Sequence, residues 1–203
     1  MTLQERRRAL MEVGGASPQY DTGYTEIGNP VISDNILTAG SSGSVRTNKV
    51  FSPGSSPWKI RTKFTWPGLG TSYKDIFGSC NEGGTSQRGV LLEMSGANAS
   101  IYLSSNSTSW DIASSKRTFI CPQNTAILYE IEFTGTGYNA RYSTNNGTSW
   151  TNITTGAITS VANISNGFYV GFGISRNGFF NGTIDLTETM IWIDDTLWWK
   201  AVA

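Results

Sequence analysis

The chain has 203 residues, about the length of one domain. Fifteen basic and fifteen acidic residues leave no net charge, so no overall field favours binding to nucleic acid or to an anionic membrane. The sequence contains no histidine, which excludes Ser-His-Asp and Cys-His catalytic triads and any zinc site built on histidine.

Small polar residues dominate the composition, with 24 Ser, 24 Thr, 15 Asn and 23 Gly. Charged residues make up 15% of the chain, against roughly a quarter in a typical domain, and aromatic residues make up 12%. Strand-forming and turn-forming residues therefore outnumber helix-forming ones. This composition predicts an all-β domain with many tight turns.

The first residues are the only helix-like segment. Leu3, Leu10 and Val13 fall on one face of a helix, and a Gly pair ends the pattern. A helix this short is marginal alone and needs a partner. We therefore expect residues 1–15 to form a helix for attachment or oligomerisation, and residues 16–203 to form a separate β-sandwich.

From about residue 20 to residue 200 the hydrophobic pattern has a period of two. Between Trp58 and Trp66, apolar residues alternate with Lys59, Arg61 and Lys63, which is typical of an antiparallel strand with one buried face. About a dozen short strands separated by turns indicate a sandwich or barrel. The predicted strands are 31–38, 45–51, 58–66, 73–79, 88–94, 98–103, 118–121, 127–133, 138–143, 168–174, 183–187 and 190–199.

One sequence pattern occurs twice. Tyr102 and Trp110 are eight residues apart, as are Tyr142 and Trp150, and Thr-Ser precedes both Trp residues. Asn146-Gly147 predicts a tight hairpin turn. The favoured interpretation is that each Tyr pairs with its Trp across a hairpin and packs inward.

Three segments resemble the concanavalin A-like, laminin-G-type jelly-roll superfamily. They are the hairpin at 98–112, YEIEFTGTGYNARYSTNNGTSW at 129–150, and the closing segment at 167–200 with its FNGTIDL run from Phe180. The resemblance covers roughly 30–200. It implies a two-sheet antiparallel jelly-roll β-sandwich, here preceded by a short helix. Within the closing segment we expect Ile184 and Leu186 to point inward, Asp185 to face outward, and the last strand to lie beside the first.

The opening MTLQERRRALM and the closing Trp198-Trp199 pair are similar to virion proteins of phages and prophages from gut-type bacteria. This resemblance implies a non-enzymatic head or tail fibre or decoration protein, located in virions assembled in the bacterial cytoplasm. Its partners would be other virion proteins, further copies of itself in a homo-oligomer (a trimer is favoured), and a host or environmental glycan.

Two carboxylate pairs are candidate glycosidase residues. Glu130 and Glu132 share a strand face, which we interpret as a solvated face opposite the basic residues of 59–63. Asp194-Asp195 is interpreted as a hairpin turn. The E-x-D-x-x-E pattern of sandwich glucanases is absent, so no enzyme activity is expected.

A binding module fits the residues better, because sugar recognition uses aromatic platforms and planar polar side chains. The segment 67–88 is the most varied in the chain, and Trp66, Trp110 and Trp150 are candidate platforms. The alternatives are Trp residues that belong to the core of a purely structural module, or a carbohydrate-binding module or glycoside hydrolase-like sandwich of a bacterial protein. The predicted glycan-binding residues are Trp110, Trp150, Tyr73, Asp75, Asn81 and Arg88.

Several expectations are negative. The first residues lack the apolar run of a secretory signal, and no stretch is apolar for long enough to insert into a membrane. No dense D-x-D-x-D loop occurs, so a calcium site is not predicted, although this fold can carry one. No cofactor is predicted. Cys80 and Cys121 are interpreted as buried thiols, with a single bridge as the alternative.

Overall fold

A computed structural model describes residues 20–38, 43–68, 74–81, 87–157, 160, 167–171 and 180–202. These residues contain no helix, and hence none that is long and apolar enough to cross a membrane. The helix predicted for 1–15 lies outside the described residues.

The described residues form 16 strands. Their bounds are β1 Asp21–Thr22, β2 Thr25–Gly28, β3 Val31–Ser33, β4 Ile36–Thr38, β5 Gly43–Val50, β6 Trp58–Thr65, β7 Lys74–Asn81, β8 Gln87–Ser95, β9 Asn98–Leu103, β10 Ala113–Ile120, β11 Ala126–Phe133, β12 Gly137–Ser143, β13 Thr151–Ala157, β14 Gly167–Val170, β15 Thr183–Ile193 and β16 Thr196–Lys200.

The strands form two sheets, and the chain crosses between them repeatedly. The nine-stranded sheet has the order β1-β16-β15-β6-β11-β12-β13, with the β3–β4 hairpin joined to β15 through β4. The seven-stranded sheet has the order β10-β9-β8-β7-β14-β5-β2. The β1–β16 pair is parallel, whereas the other described pairs are antiparallel. The predicted two-sheet antiparallel sandwich is confirmed.

Alternation along β6 and β11 builds the centre of the core. Trp58 pairs with Phe133 and Ile60 pairs with Ile131 across these two strands, and all four side chains are buried. Each large apolar side chain buried in this way contributes about 1.5–3 kcal/mol. The residues between them face the opposite side of the nine-stranded sheet.

A continuous chain of aromatic rings connects the two layers. Neighbouring ring centroids along it lie 4.5–6.3 Å apart, within the range of favourable aromatic contacts. Rings from the two sheets follow one another along the chain, so each layer is packed against the other. In contact order, the rings are Phe133, Trp58, Phe51, Phe168, Phe77, Tyr129, Phe119 and Tyr142.

The C-terminal strand closes the nine-stranded sheet as predicted. β16 pairs with β1, and the indole Nε1–H of buried Trp199 donates to the Gly23 carbonyl oxygen at 2.8 Å. Ile184 and Leu186 are fully buried, and Asp194-Asp195 forms the β15–β16 turn with φ of 50° and 58°. The predicted inward orientation of Ile184 and Leu186 and the predicted turn at Asp194-Asp195 are confirmed.

The strand predictions differ from the structure mainly at sheet edges. The predicted strand 31–38 is two strands joined by a turn, because Asp34 and Asn35 adopt φ of 51° and 62°. β2 and β13 were not predicted, since these polar edge strands show weak hydrophobic alternation. Edge strands bury little apolar surface, so their sequences lack the alternation of apolar and polar residues by which strands are predicted.

Cys121 is a free, buried thiol, and burial raises the pKa of this thiol to about 12. The interpretation of Cys121 as a buried thiol is confirmed. The Cys80 side chain lies outside the described residues.

Replacing Trp199 by Ala should lower the free energy of unfolding by about 3–5 kcal/mol, because a fully buried indole is lost from the closing strand. The matched control is Trp198→Ala, at a half-buried position, which should cost less than about 2 kcal/mol. Urea denaturation of both variants measures the difference. Equal losses would show that Trp199 has no special role in closure.

Candidate functional site

A small aromatic cluster lies on the face of the seven-stranded sheet that points away from the core. Tyr102 of β9 and Leu91 of β8 are cross-strand neighbours on this outer face, and both are buried. Trp110 packs on them from the loop between β9 and β10, with its ring centroid 5.5 Å from that of Tyr102. Trp110 itself is half-buried, so the cluster is accessible through this ring.

Arg88 lies at the start of β8, close to Trp110. Its guanidinium carbon is 5.7 Å from the centroid of the Trp110 ring, within cation–π distance. Its Nη1 also donates a hydrogen bond to the Thr108 carbonyl oxygen at 2.5 Å. The Trp110 ring is therefore held between an aromatic neighbour and a cation.

Side-chain hydrogen bonds pre-form the loop that carries Trp110. The Asn106 Oδ1 accepts from the backbone N–H groups of Thr108 and Ser109, each at 2.9 Å. At the loop end, the Asp111 carboxylate accepts the Ser105 backbone N–H at 2.9 Å and its hydroxyl. Desolvation acts to raise the pKa of Asp111, but these hydrogen bonds outweigh it and lower the pKa below 3.8. A pre-formed loop loses little entropy when a ligand binds.

Two buried carboxylates lie next to this cluster. Asp75 of β7 and Glu93 of β8 are direct cross-strand neighbours, with 2% and 1% of their surfaces exposed. The Tyr102 hydroxyl donates to Glu93 Oε1 at 3.0 Å. Glu93 was not predicted as a site residue. The sequence signal that could have found Glu93 is the alternation along β8, because Leu91 and Glu93 fall between inward-facing positions and so share the outer face.

The six predicted site residues fall into three groups. Trp110, Arg88 and Asp75 belong to the seven-stranded sheet or its loop, with Asp75 joined to the cluster through Glu93. Tyr73 lies outside the described residues, and Asn81 is described only as the end of β7, paired with Gln87. Trp150 lies on the other layer. The three candidate Trp residues therefore do not share one platform, and Trp66 is a core residue with 3% exposure.

Trp150 packs on the outer face of the nine-stranded sheet. The Arg141 guanidinium carbon is 4.5 Å from the Trp150 ring centroid. Further along the face, Arg61 lies 5.5 Å from the ring centroid of Trp192. Glu130 lies between the two arginines and accepts hydrogen bonds from both.

The Glu130 environment corrects one sequence interpretation. The two glutamates lie opposite basic residues as predicted, since Glu130 pairs with Arg61 and Glu132 pairs with Lys59. Glu130 is however only 1% exposed rather than solvated, because two arginines flank it. Desolvation acts to raise the pKa of Glu130, but hydrogen bonds from Arg61 and Arg141 outweigh it and the pKa lies below 4.5.

The repeated Tyr/Trp pattern was also interpreted incorrectly in part. Tyr102 does pair with Trp110, but on the outer face of its sheet. Tyr142 points inward and stacks on Phe119, with centroids 4.5 Å apart, while Trp150 packs outside. The tight turn at Asn146-Gly147 is part of a longer loop, 144–150, in which both residues have positive φ.

Comparison with known proteins places the chain by its fold. No protein-family model and no curated protein matches its sequence. Among solved structures, it is similar to domain 4 of AbnA, a GH43 extracellular arabinanase from Geobacillus stearothermophilus, in complex with arabinotriose, at 13% identity and a TM-score of 0.54. That match covers 84% of this chain and 82% of the other.

Two further structures extend the comparison. The exoplasmic/lumenal domain of VIP36 with Ca²⁺ and mannose is 9% identical, with a TM-score of 0.50 over 83% of this chain and 82% of that one. Trypanosoma rangeli sialidase in complex with sialic acid is 13% identical, with a TM-score of 0.56 over 82% of this chain and 26% of the sialidase. The chain has a lectin-like β-sandwich fold. No group of three or more His, Cys, Asp or Glu side chains that could hold a metal ion occurs in the described part of the chain.

Replacing Glu130 by Gln should lower the free energy of unfolding at pH 7 by about 1.5–3 kcal/mol, the range for hydrogen bonds to charged groups. Because the folded-state pKa is depressed, the carboxylate stabilises the fold above about pH 4.5, and this stabilisation is lost as the pH falls towards the folded-state pKa. The wild-type chain should therefore lose more stability between pH 6 and pH 3 than the variant.

Chemical denaturation across this pH range tests the Glu130 prediction. Glu132→Gln is the control, since Glu132 lies on the same strand face and is less buried. Parallel pH profiles for wild type and the Glu130 variant would contradict the proposed role of the carboxylate.

Proposed function

We propose that the protein is a non-enzymatic, lectin-like module that binds glycans through the outer face of its seven-stranded sheet. The observation that carries this proposal is the half-buried Trp110 ring, which stands outside the core on Tyr102 and beside Arg88. A ring held in this way offers an apolar surface together with nearby polar groups.

The chemistry of the cluster suits a saccharide. The C–H face of a sugar ring stacks on an aromatic side chain, and the sugar hydroxyls need donors and acceptors arranged around it. Arg88 supplies donors, and the hydroxyl-rich loop 104–109 supplies both donors and acceptors. The carboxylates of Asp75 and Glu93 are buried beneath this face, where Glu93 accepts the Tyr102 hydroxyl and so holds the ring on which Trp110 packs. These groups form a site without a metal ion.

The similar structures support the proposed ligand class. Three of the similar structures contain bound sugars, namely arabinotriose, mannose and sialic acid. These proteins share the fold at identities of 9–13%, so the likeness does not select one sugar. The choice of sugar rests on the loops around Trp110.

Glycoside hydrolysis is a second candidate, favoured by the Asp75–Glu93 pair. Direct cross-strand neighbours have Cβ atoms about 4.5–5.5 Å apart, so the two carboxyl groups lie near one another, as the carboxyl pair of a glycosidase does. Release of reducing ends from arabinan, mannan or sialylated glycans, abolished by Glu93→Gln, would establish this activity. Binding without turnover supports the lectin.

We also propose a biological location for the module. The resemblance of the opening and closing segments to phage proteins supports a fibre or decoration protein of a phage virion, on head or tail, assembled in the bacterial cytoplasm. Its partners would be other virion proteins and two further copies of this chain. In that setting the glycan would be a host or environmental one.

Replacing Trp110 by Ala should weaken glycan binding at least tenfold, about 1.4 kcal/mol, and should cost less than about 1.5 kcal/mol of stability. Trp150→Ala is the matched control, since this Trp is also half-buried but lies on the other sheet. A glycan array and urea denaturation measure both effects. Undiminished binding by a folded Trp110 variant would refute the site.

Removing residues 1–15 should convert a trimer into a monomer without loss of the β-sandwich. Light scattering of the full and shortened chains measures the mass, and circular dichroism checks the fold. If the full chain is itself monomeric, the proposed assembly role of the N-terminal segment is wrong.

A further inference from the structure

The outer face of the nine-stranded sheet carries a groove that the proposed lectin site does not use. Two adjoining cavities of about 230 and 290 Å³ lie at the end of this face and share Thr65 and Thr183. Their lining comes from β4, β6, β11 and β15 and from the turns before β11 and β15. Ligand pockets span roughly 300–1,000 Å³, so this groove fits a small ligand.

Strand register places a row of hydroxyl groups in the groove. Thr183 pairs with Thr38 on one side and with Thr65 on the other, and Thr65 pairs in turn with Ala126. All four residues face outward, because their neighbours Leu37, Ile184, Phe64 and Ile127 are buried in the core. Neighbouring strands lie about 4.8 Å apart. This spacing resembles that of alternate hydroxyl groups around a pyranose ring.

The next row of residues adds one ion pair of zero net charge. Lys63 Nζ and Asp185 Oδ2 are 3.9 Å apart, longer than a hydrogen bond, and both side chains are partly exposed. The other carboxylate oxygen, Oδ1, accepts the Thr187 backbone N–H at 3.0 Å, which orients the carboxylate. A ligand hydroxyl can therefore donate to Asp185 and accept from Lys63. No other charged side chain among the described residues lines the two cavities.

The remaining lining is amide and apolar. Asn124 and Asn181 line one cavity, and Ile36, Pro67 and Ala126 contribute apolar surface. Gly182 keeps the strand close to β6, since a Cβ at this position would lie 2.1 Å from the Thr65 carbonyl oxygen. Hydroxyls, amides, one neutralised ion pair and small apolar surfaces match the surface of an uncharged sugar.

The geometry points to a second saccharide site in this groove, for one or two units of a neutral sugar. It goes beyond the proposed function, because it lies on the opposite sheet and needs neither Trp110 nor Arg88. A chain with both sites binds two saccharide segments, one on each face of the sandwich. Phe64 is the only aromatic residue among the described lining residues, and it is buried in the core, so it provides no platform. This second site therefore binds more weakly than the first.

Titration of ¹⁵N-labelled protein separates the two sites within one spectrum. The probes are neutral mono- to trisaccharides built from arabinose, mannose, glucose and galactose. At least one probe should shift the backbone amides of Thr65 and Thr183 and the side-chain amides of Asn124 and Asn181. The Trp110 indole N–H reports the proposed lectin site independently.

Variants test the assignment of the groove. Ala126→Trp, which fills the groove from an exposed position, and Thr183→Val, which removes the central hydroxyl, should each weaken the groove response at least fivefold. The control Thr136→Val, in the exposed β11–β12 turn, should leave the response unchanged. Trp110→Ala should also leave it intact.

The outcomes distinguish this site from the proposed function. Shifts confined to the Trp110 region, or no groove shift with any probe at 50 mM, overturn the groove site. Groove shifts that survive Ala126→Trp in a folded variant also overturn it. Groove shifts without any response at Trp110 support the groove and count against the proposed lectin site.

Discussion

The chain of aromatic rings between the two sheets is the constraint on which the rest of the structure depends. Three of its contacts, Phe77–Tyr129, Tyr129–Phe119 and Phe119–Tyr142, join one sheet directly to the other, so neither sheet can shift without breaking them. The interior of a sandwich is about 10 Å thick and close-packed, which leaves no room for a ligand. Recognition must therefore take place on the outer faces or on the loops at the rim.

The two outer faces are built differently. The seven-stranded sheet carries an aromatic cluster with buried carboxylates, and only Trp110 of that cluster is half-exposed. The nine-stranded sheet carries a network of arginines, Glu130 and tryptophans, and beyond it the groove at the start of β15. The first face suits stacking of a sugar ring, whereas the second suits hydrogen bonding to hydroxyl groups. A single sandwich thus presents two kinds of polar surface.

Much of the fold could be predicted, because a strand with one solvent-exposed face shows alternating apolar and polar residues in the sequence, as β6 and β11 do. Partners across the sheet are harder to foresee. Glu130 and Glu93 are buried by residues that are distant in sequence, and alternation alone makes them look solvated. Tyr102 and Tyr142 show the same limit, since segments with the same Tyr/Trp spacing present these tyrosines to opposite faces of their sheets. Of the residues predicted to bind a glycan, Trp110, Arg88 and Asp75 lie on the seven-stranded sheet or its loop, whereas Trp150 lies on the other sheet. Glu93 was missed, and glycan binding by the chosen residues stays a prediction.

The central claim is that the protein's seven tryptophans divide between holding the layers together and meeting the ligand. Fluorine NMR of the chain labelled with 5-fluorotryptophan measures this division directly, with one resonance for each Trp assigned by substitution. On addition of a glycan found by array screening, the account predicts a shift at Trp110 and none at the buried Trp58, Trp66 and Trp199. A ligand-dependent shift of the buried resonances with Trp110 unmoved would contradict it.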